Sequence, residues 1–449
     1  MIHLLFVGGF FILRNMQRFV LIGCQMVIVQ LILFMKKIFS FAFFVLMIVF
    51  ITSCSKTNVN DHTQTIVLPE TGSSVISACN QFAFNFLRST LQQDTTNSNK
   101  LISPLSIYMA LSMVYNGANN ATKDSIANVL QLSGIDINSL NAVCRSLITQ
   151  LPQEDNEVQF SIANSIWYND GFQPLDSFLN TTQNFYEASV QPLDFDNPAS
   201  VNTINNWVAQ KTNNKITKVI DVISSTDLMY LIDAIYFNGA WQSAFKTSDT
   251  HNDDFYLSNG SAESVPFMQQ ELKTTVYSDS AFSLLELPYG SGKSYSMYIA
   301  LPANQQQPIS TFASLMNENI LSNAINKMDS VNIQVDIPKW EYSYSIDNMQ
   351  PELSMLGMGI AFDTSADFSK MYNPAQVKPY ITKAIHKTYI KVDEEGTVAA
   401  AVTAIGIGTS AIVSSPPVFK VNHPFLYAII EKQTGTVLFT GIVNDPSAN

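Results

Sequence analysis

The most informative stretch of this sequence is DEEGTVAAAVTAIGIGTSAIVSSPPVFK, from Asp393 to Lys420. Between Glu395 and Lys420 it carries no charged side chain and consists mainly of Ala, Val, Ile, Gly, Ser and Thr. Its first proline is Pro416, so a long run of small and β-branched residues precedes any break. A central strand is buried on both faces and pairs along both edges, so it excludes charge and proline. The composition of the stretch is therefore compatible with a central strand.

The bulk composition allows a large core and narrows the possible partners. The chain has 449 residues, of which 47% are apolar and 13% are charged, and its net charge is −12. Length alone predicts roughly two or three domains. The body of the chain lacks a cluster of Lys and Arg, so we expect no nucleic-acid partner and no other polyanionic partner.

The N-terminal part, residues 1–54, resembles an export signal. Lys36 and Lys37 precede an apolar run that is short for a membrane span, and Thr52-Ser53-Cys54 follows it. This order resembles the bacterial lipoprotein signal, which makes Cys54 the lipidated first residue of the mature protein; the alternative is an uncleaved anchor helix. Residues 1–34 are interpreted as a start codon assigned too early, with a second membrane segment as the alternative. We therefore expect an exported bacterial lipoprotein at the outer membrane, the cell surface or the periplasmic face, touching the membrane only through its lipid.

The body of the chain begins with helical patterns and continues with strand patterns. Residues 55–73 are polar and aperiodic, which predicts a flexible tether. Apolar residues at helical spacing predict helices over 75–91, from Ser103 to Gly117, from Thr122, and over 202–220. The predicted strands are 228–237, 283–288, 295–301, 331–338, 389–392, 426–431 and 437–443. Helices early and strands late, without regular alternation, indicate the α+β class.

Motifs for catalysis are missing from this sequence. HExxH, CxxC and GxSxG do not occur, and the run from Gly290 to Ser294 (GSGKS) lacks the first glycine of a phosphate loop, so it predicts a hairpin turn. Cys79 and Cys144 lie in helical apolar patterns and are expected as buried free thiols. We therefore expect a protein that is not an enzyme and that has neither a cofactor nor a metal site.

Many separate stretches, in order from about residue 75 to residue 447, resemble the serpin family. They are Ser103-Pro104-Leu105-Ser106-Ile107, Asn206-Trp207-Val208, AIYFNGAW over 234–241, Leu287-Pro288-Tyr289, Ile337-Pro338-Lys339, ADFS over 366–369, His423-Pro424-Phe425 and Phe439-Thr440-Gly441. The resemblance implies a single domain over 74–449 and not several. It also implies the serpin fold: a large central mixed β-sheet, smaller sheets, about eight or nine helices and an exposed reactive-centre loop.

The opening stretch falls where serpins have the hinge and the reactive-centre loop. The hinge that the resemblance implies is Glu394, Glu395, Gly396, Thr397, Val398, Ala399, Ala400 and Ala401. Its small residues match the inhibitory pattern of the family, in which the cleaved loop enters the main sheet and the trapped protease is distorted. The resemblance therefore implies a suicide-substrate inhibitor of serine-type proteases, with cysteine-type proteases as the alternative. The alternative is a non-inhibitory serpin that acts as a binding or carrier lipoprotein.

The position of the reactive bond follows from counting along the family pattern. Counting from the hinge implies the bond between Ser410 and Ala411. Counting back from His423-Pro424-Phe425 implies the same bond if the segment between the bond and this motif is of the longer family type, and the bond between Val413 and Ser414 if it is of the short type. All these side chains are small or β-branched, so the expected target is an elastase-like or subtilisin-like protease. The protein is expected to be a monomer.

Two other interpretations of the stretch from Asp393 to Lys420 are a membrane span, which its glycines and prolines disfavour, and an aggregation-prone strand.

The resemblance also assigns two supporting groups of residues. Trp241, Lys339 and Glu394 correspond to the breach at the top of the main sheet, and Ser103, Ser106, Asp233 and His386 correspond to the shutter midway down it. Serpins usually have Asn where this chain has Asp233. We hypothesise that Asp233 favours a charged imidazolium at His386 and makes sheet opening depend on pH near neutrality; the alternative is that Asp233 only accepts hydrogen bonds.

Overall fold

The computed structural model describes residues 64–397 and 416–448. The described residues form one compact unit. The described part contains nine α-helices. They are α1 Gly72–Gln93, α2 Pro104–Gly117, α3 Asn120–Val129, α4 Ile137–Gln150, α5 Asp176–Tyr186, α6 Ala199–Lys211, α7 Ile309–Leu315, α8 Glu318–Ile325 and α9 Gln350–Leu353.

Fifteen strands accompany these helices in the described residues. They are β1 Lys100–Ile102, β2 Val158–Asn169, β3 Ser189–Leu193, β4 Met229–Ala240, β5 His251–Tyr256, β6 Ala262–Ser278, β7 Phe282–Tyr289, β8 Tyr295–Pro302, β9 Asp329–Pro338, β10 Trp340–Ile346, β11 His386–Val392, β12 Gly396–Thr397, β13 Val418–Lys420, β14 Phe425–Glu431 and β15 Val437–Val443. The predicted strands all coincide with strands of this set.

The strands form two sheets. A nine-stranded sheet has the order β1-β15-β14-β8-β7-β6-β9-β13, with β5 paired to β6. A six-stranded sheet has the order β10-β11-β12-β4-β2-β3. Both are mixed, because β13 runs parallel to β9 and β2 runs parallel to β3, while their other pairs are antiparallel. The architecture confirms the predicted α+β class.

Strand β4 lies at the centre of the six-stranded sheet and is covered on both faces. Ile235 and Phe237 belong to the main core, to which α2 also contributes. Ile232 and Ala234 belong to a second core that contains apolar residues of α6. Neighbouring residues of a strand point to opposite faces, so a strand between two helical layers is apolar at nearly every position. This explains why β4 was predictable from a continuous apolar run.

Helix α2 begins where the sequence predicts it to begin. The side-chain oxygen of Ser103 accepts the backbone N–H of Ser106, and Pro104 occupies the first turn, where its missing N–H costs nothing. The helix ends at Gly117, as expected. Its N-terminus is thereby fixed beneath the six-stranded sheet, close to β4.

Helix α6 is shorter than predicted. The apolar periodicity continues to residue 220, yet the helix ends at Lys211. Asn213 and Asn214 both adopt left-handed backbone angles, with φ of 49° and 59°. Asn tolerates this region better than other residues with side chains, so the pair ends the helix and redirects the chain across the sheet.

The predicted tether is wrong for its last part. From Gln64 onwards the chain is in contact with the body: Ile66 is buried, and its backbone N–H and C=O both pair with the Gln433 side chain. Helix α1 then begins at Gly72, inside the segment that was predicted to be flexible. Two further expectations are confirmed, since Cys79 and Cys144 are buried free thiols and Gly290 lies in the turn between β7 and β8.

Candidate functional site: hinge, breach and slot

The hinge lies at the top of the six-stranded sheet, where the chain turns back after β11. Asp393 and Gly396 close a tight turn through reciprocal backbone hydrogen bonds of 3.0 and 3.2 Å. Gly396 and Thr397 then pair with Ala240 and Gly239 of β4, and Thr397 is also opposite Val392 of β11. Strand β12 therefore begins a central strand between β4 and β11.

Gly396 is required at this position for two reasons. Its φ of 150° is rarely adopted by residues with a side chain. A Cβ atom would also lie 2.1 Å from the backbone oxygen of Gly239, which is far inside the contact distance. The glycine of the predicted hinge thus lets the chain pass close to β4.

The predicted breach pair forms an ion pair. Lys339 Nζ lies 2.7 Å from Glu394 Oε2, and the Thr250 hydroxyl donates to Glu394 Oε1 at 2.8 Å. Burial acts to raise the pKa of Glu394, but the hydrogen bonds from Lys339 and Thr250 outweigh it and hold that pKa below its ordinary value. The backbone N–H of Phe245 also donates to the Glu394 carbonyl at 2.9 Å. The hinge is therefore fixed by charge and by backbone pairing.

Trp241, the third breach residue, holds the turn from the side of β4. Its indole N–H donates to the Asp393 carbonyl at 2.9 Å, and its backbone N–H donates to the Glu395 carbonyl at 2.9 Å. The indole stacks on Tyr289, with ring centroids 4.6 Å apart and an interplanar angle of 13°. The Tyr289 hydroxyl in turn contacts the Thr397 hydroxyl at 2.6 Å. Sequence reasoning did not predict roles for Tyr289, Thr250 or Asp393.

Below Thr397, the described residues leave a gap between β4 and β11, which we call the slot. Among the described strands, β4 pairs with β2 and β12, and β11 pairs with β10 and β12, while no ladder joins β4 directly to β11. The upper part of the slot holds a small cavity of about 20 Å³. Its lining includes residues 235–237 of β4, residues 388–390 of β11 and Thr397.

The lower part of the slot is wider. A cavity of about 340 Å³ extends there from β4 to the segment that leads into β11. Its lining includes Ile107 and Val114 of α2, Ile232 and Asp233 of β4, and His386. The opening therefore reaches the predicted shutter residues.

The shutter residues are brought together around the start of α2. The backbone N–H of Ser103 donates to His386 Nε2 at 3.0 Å, and the Ser103 hydroxyl donates to the Leu438 carbonyl at 2.9 Å. The Ser106 hydroxyl donates to Asp233 Oδ1. The other oxygen, Asp233 Oδ2, is inaccessible to solvent and has no hydrogen-bond partner among the residues that the structure describes. The shutter thus contains an incompletely satisfied carboxyl group.

The hypothesis of an imidazolium at His386 is wrong. Burial lowers the pKa of His386 to about 3, and its Nε2 atom already accepts the Ser103 N–H, so the ring is neutral. Burial raises the pKa of Asp233 to about 8, against the opposing effect of the Ser106 hydrogen bond. Both groups therefore favour their uncharged forms, and the group that titrates near neutral pH is Asp233.

The segment after α6, residues 212–216, covers the upper slot, and we call it the strap. Lys215 Nζ lies 5.1 Å from the ring centroid of Tyr389 on β11. On the other side, the Asn213 amide donates to the Tyr236 hydroxyl of β4 at 3.4 Å. The strap therefore touches both walls of the slot. Two sequence signals indicate this crossing: the pair of asparagines, and the resemblance of Asn206-Trp207-Val208, with Thr212, Lys215 and Ile216, to the serpin helix that crosses the main sheet.

Several predicted sites lie outside the described residues. These are hinge residues Val398, Ala399, Ala400 and Ala401, both candidate reactive bonds, and Cys54 with the rest of the export signal. Within the described residues, no helix is both long enough and apolar enough to cross a membrane.

Comparison with known proteins identifies the family. The chain matches the family model described as Serpin (serine protease inhibitor) over residues 77–446. A serpin-like protein of Thermococcus kodakarensis is 30% identical over 376 residues, which cover 83% of this chain and 86% of that protein. Neuroserpin of Gallus gallus is 31% identical over 379 residues, which cover 81% of this chain and 89% of neuroserpin. The chain belongs to the serpin family.

Solved structures agree with this assignment. The native state of tengpin, a thermophilic serpin, is similar with a TM-score of 0.76 and 31% identity, covering 85% of this chain and 96% of tengpin. Thyroxine-binding globulin in complex with thyroxine has a TM-score of 0.74 and 25% identity, covering 83% of this chain and 99% of the globulin. Serpins are mostly protease inhibitors and not enzymes, although some, including thyroxine-binding globulin, are non-inhibitory.

Proposed function

We propose that this serpin is a suicide-substrate inhibitor of proteases. A target protease cleaves the reactive-centre loop, and the chain after Thr397 then inserts into the slot as a full strand of the six-stranded sheet. The observation that carries the proposal is strand β12: Gly396 and Thr397 already pair with β4, and Thr397 also pairs with β11. Strand addition is an established recognition mode, and serpin loop insertion is a known example of it.

The registers of β12 determine where a longer strand would run. Thr397 is opposite Gly239 on β4 and opposite Val392 on β11, and both pairings are antiparallel. Continued one residue at a time, they bring residue 403 between Asp233 and His386, and residue 407 opposite Met229 at the far end of β4. A strand over 396–407 would therefore fill the length of the slot and place residue 403 between the shutter residues Asp233 and His386.

The composition of this segment suits insertion. Residues 398–407 are Val, Ala, Ala, Ala, Val, Thr, Ala, Ile, Gly and Ile, without charge or proline. The positions that share the inward face of Thr397 are Ala399, Ala401, Thr403, Ile405 and Ile407. About a dozen new backbone hydrogen bonds at about 1 kcal/mol each would favour the inserted form by a free energy on the order of 10 kcal/mol.

The reactive bond is proposed to lie between Ser410 and Ala411, with Val413 and Ser414 as the alternative. Neither site offers Lys or Arg to a trypsin-like pocket. Small side chains at both sites support an elastase-like or subtilisin-like protease as the target. We propose that the serpin acts on it as a monomer.

Incubation with pancreatic elastase and with subtilisin tests this function. Denaturing gel electrophoresis should reveal a band near the sum of the serpin and protease masses, because the protease is trapped as a covalent acyl-enzyme. Mass spectrometry of the released C-terminal peptide then gives the bond. Cleavage without any covalent band, for both proteases at several ratios, would contradict inhibition.

A carrier function is the second candidate. The similarity to thyroxine-binding globulin, a serpin solved with a small ligand, favours this candidate. An inhibitor and a carrier differ in the gel assay, since a carrier gives only cleaved chain.

We also propose that the mature protein is a lipoprotein anchored through Cys54. The signal-like sequence before Cys54 supports this location. Metabolic labelling with a fatty acid should label the wild-type protein and should fail with Cys54→Ala; equal labelling of both would contradict the anchor.

A further inference from the structure

Two glutamine side chains hold residues 64–68, which we call the docked segment, against the body. Gln433, in the turn after β14, accepts the backbone N–H of Ile66 at 2.9 Å and donates to its carbonyl at 2.7 Å. Gln150, at the end of α4, does the same for Val67, at 2.7 and 2.9 Å. These hydrogen bonds pair both backbone groups of two consecutive residues, and Ile66 is buried. The chain is therefore attached to the body well before α1 begins.

The docked segment lies at the hinge end of the six-stranded sheet. The backbone N–H of Gln64 donates to the Glu154 carbonyl at 3.4 Å, four residues before β2 begins at Val158. Val158 is opposite Gly239 of β4, and Gly239 is opposite Thr397 of β12. Two strand spacings, about 10 Å, separate Val158 from Thr397. The point where the chain joins the body is therefore close to the residue that leads into the reactive-centre loop.

The turn between β7 and β8 connects the same two regions. The backbone N–H of Ser291 donates to Glu157 Oε2 at 2.7 Å, and the backbone N–H of Gly290 donates to the Ala240 carbonyl at 2.9 Å. Glu157 directly precedes β2, and Ala240 ends β4. Short hydrogen-bonded paths thus join the docked segment to the hinge end of β4.

The chain between the proposed lipid anchor and the docked segment is short. Gln64 is ten residues after Cys54, so their Cα atoms are at most about 36 Å apart in any conformation of the chain between them. A compact unit of about 390 residues has a radius of gyration of about 21 Å and hence a diameter of about 55 Å. If the far end of the sheet rested on the membrane, the docked segment would lie beyond this reach. That orientation is excluded for the anchored protein.

Docking is what sets this limit. Without it, the free chain would extend to Gly72, where α1 begins. Gly72 is 18 residues after Cys54, and a chain of that length can reach about 65 Å. This reach exceeds the diameter of the body, so every orientation on the membrane would be open. The contacts of Gln150 and Gln433 therefore decide which end of the sheet can face the membrane.

We infer that the docked segment is a leash that keeps the hinge end of the six-stranded sheet near the membrane, and that the partner of the reactive-centre loop is a protease at the membrane surface. This inference rests on the proposed lipid anchor at Cys54. A protease fixed to the same membrane would meet the loop at a high effective concentration, because both are confined to one thin layer.

Energy transfer on vesicles tests the leash. The protein is purified from the membranes of the producing cells and reconstituted into phosphatidylcholine vesicles with an acceptor dye on the headgroups. Azidophenylalanine carries the donor dye in place of Ser243, just past the hinge end of β4, or of Ser225, just before its far end; both positions are exposed. Because β4 holds the two labels about 40 Å apart, transfer should be at least about twofold more efficient from position 243. Equal efficiencies would overturn the inference.

The anchor and the leash fail in different ways. Flotation of the vesicles shows whether the purified protein is membrane-bound, and its absence contradicts the anchor. A maleimide lipid coupled to the Cys54 thiol then anchors the same protein at the same residue, and the energy transfer is measured as before. The other cysteines of the mature chain, Cys79 and Cys144, are buried and do not compete for the lipid.

Variants separate docking from anchoring. Gln150→Ala combined with Gln433→Ala removes the four hydrogen bonds of the docked segment, so transfer from position 243 should fall to the value from position 225. Hydrogen exchange verifies that residues 64–68 lose protection while α1 keeps it. Gln376→Ala, at an exposed glutamine before β11, is the control and should keep wild-type transfer. Wild-type transfer in the double variant, with its segment released, would overturn the inference.

Cleavage on vesicles tests the partner. Subtilisin with its own lipid anchor, on the same vesicles, should cut the loop of the wild type faster than that of the double variant, whereas free subtilisin should cut both at one rate. Cleavage is counted with or without a covalent complex, so the comparison does not depend on inhibition. Equal rates with vesicle-bound subtilisin would contradict a protease partner at the membrane.

Discussion

At the scale of single residues, Asp233 is the side chain that most distinguishes this shutter. Its pKa rises from 3.8 to about 8 because it is buried, and only Ser106 donates to it among the described residues. Between these two values the folded protein holds a proton that the unfolded chain has lost. The contribution of Asp233 to stability is therefore fully present below about pH 4 and is lost as pH rises through about 8.

Asp233→Asn should flatten this dependence. The wild-type unfolding free energy should fall with rising pH more steeply than that of the variant, by up to about 1.4 kcal/mol per pH unit between pH 5 and 8. Denaturant titrations of the uncleaved protein at several pH values measure the slopes. Asp176→Asn makes the same substitution at an exposed position and should keep the wild-type slope. Parallel slopes for Asp233→Asn and wild type would refute the role of Asp233, and inhibition-versus-pH curves should follow the same pattern.

Thr397 is the residue at which insertion begins. It is 3% exposed and contacts the Tyr289 hydroxyl, so an unpaired charge there would displace β12 from the uncleaved sheet, and insertion would then have to bury that charge at a cost of several kcal/mol. Thr397→Arg should therefore be cleaved by the target protease without trapping it, whereas Thr397→Val keeps the shape and should still trap. Gel assays of covalent complex per cleaved chain measure the difference. Wild-type stoichiometry for Thr397→Arg would contradict the insertion mechanism.

At the scale of elements, the strap after α6 is the part that an entering strand must pass. Lys215 contacts Tyr389 across the upper slot, whereas Lys211 contacts Trp207 within its own helix. An exposed contact of this kind stabilises by about 0.5–1 kcal/mol, so Lys215→Ala should speed loop insertion by about two- to fivefold. Lys211→Ala is the matched control and should insert at the wild-type rate. Stopped-flow fluorescence of a labelled loop measures both, and equal rates for the two variants would exclude the strap as a barrier.

The elements that the sequence predicts well are those whose local signals agree with their surroundings. Helix α2 has its cap, its proline and its terminal glycine, and β4 is apolar on both faces because helices cover both. The end of α6 was mispredicted because apolar periodicity continues past Asn213 and Asn214, where the backbone turns left-handed. The docking of Ile66 was missed because its partners, including Gln433, are far away in sequence and polar.

The candidate site was predictable in its identity and only partly in its chemistry. The hinge, the Lys339–Glu394 pair and the shutter residues were all assigned from family resemblance, and the structure brings together the ion pair and the shutter residues and describes the hinge as far as Thr397. The protonation states were not predictable from the sequence. Burial keeps His386 neutral, and the sequence alone does not show how deeply a side chain is buried.

At the scale of the whole molecule, the described residues leave space for one more strand in the six-stranded sheet, between β4 and β11. Strand β12 supplies its first two residues, and cavities of about 20 and 340 Å³ continue below it between β4 and β11. The nine-stranded sheet and the helices around it contribute to one continuous core among the described residues. The native protein is therefore expected to be metastable relative to the form in which the loop is inserted.

The thermal stability of a loop-cleaved sample tests this expectation most directly. Elastase or subtilisin at low ratio should cut within residues 398–415 and leave both fragments associated. Calorimetry should then give a melting temperature at least about 20 °C above that of intact protein, because a gain on the order of 10 kcal/mol in a domain of this size shifts it by a few degrees per kcal/mol. An unchanged melting temperature, with the two cut ends still adjacent by energy transfer between labels, would contradict loop insertion.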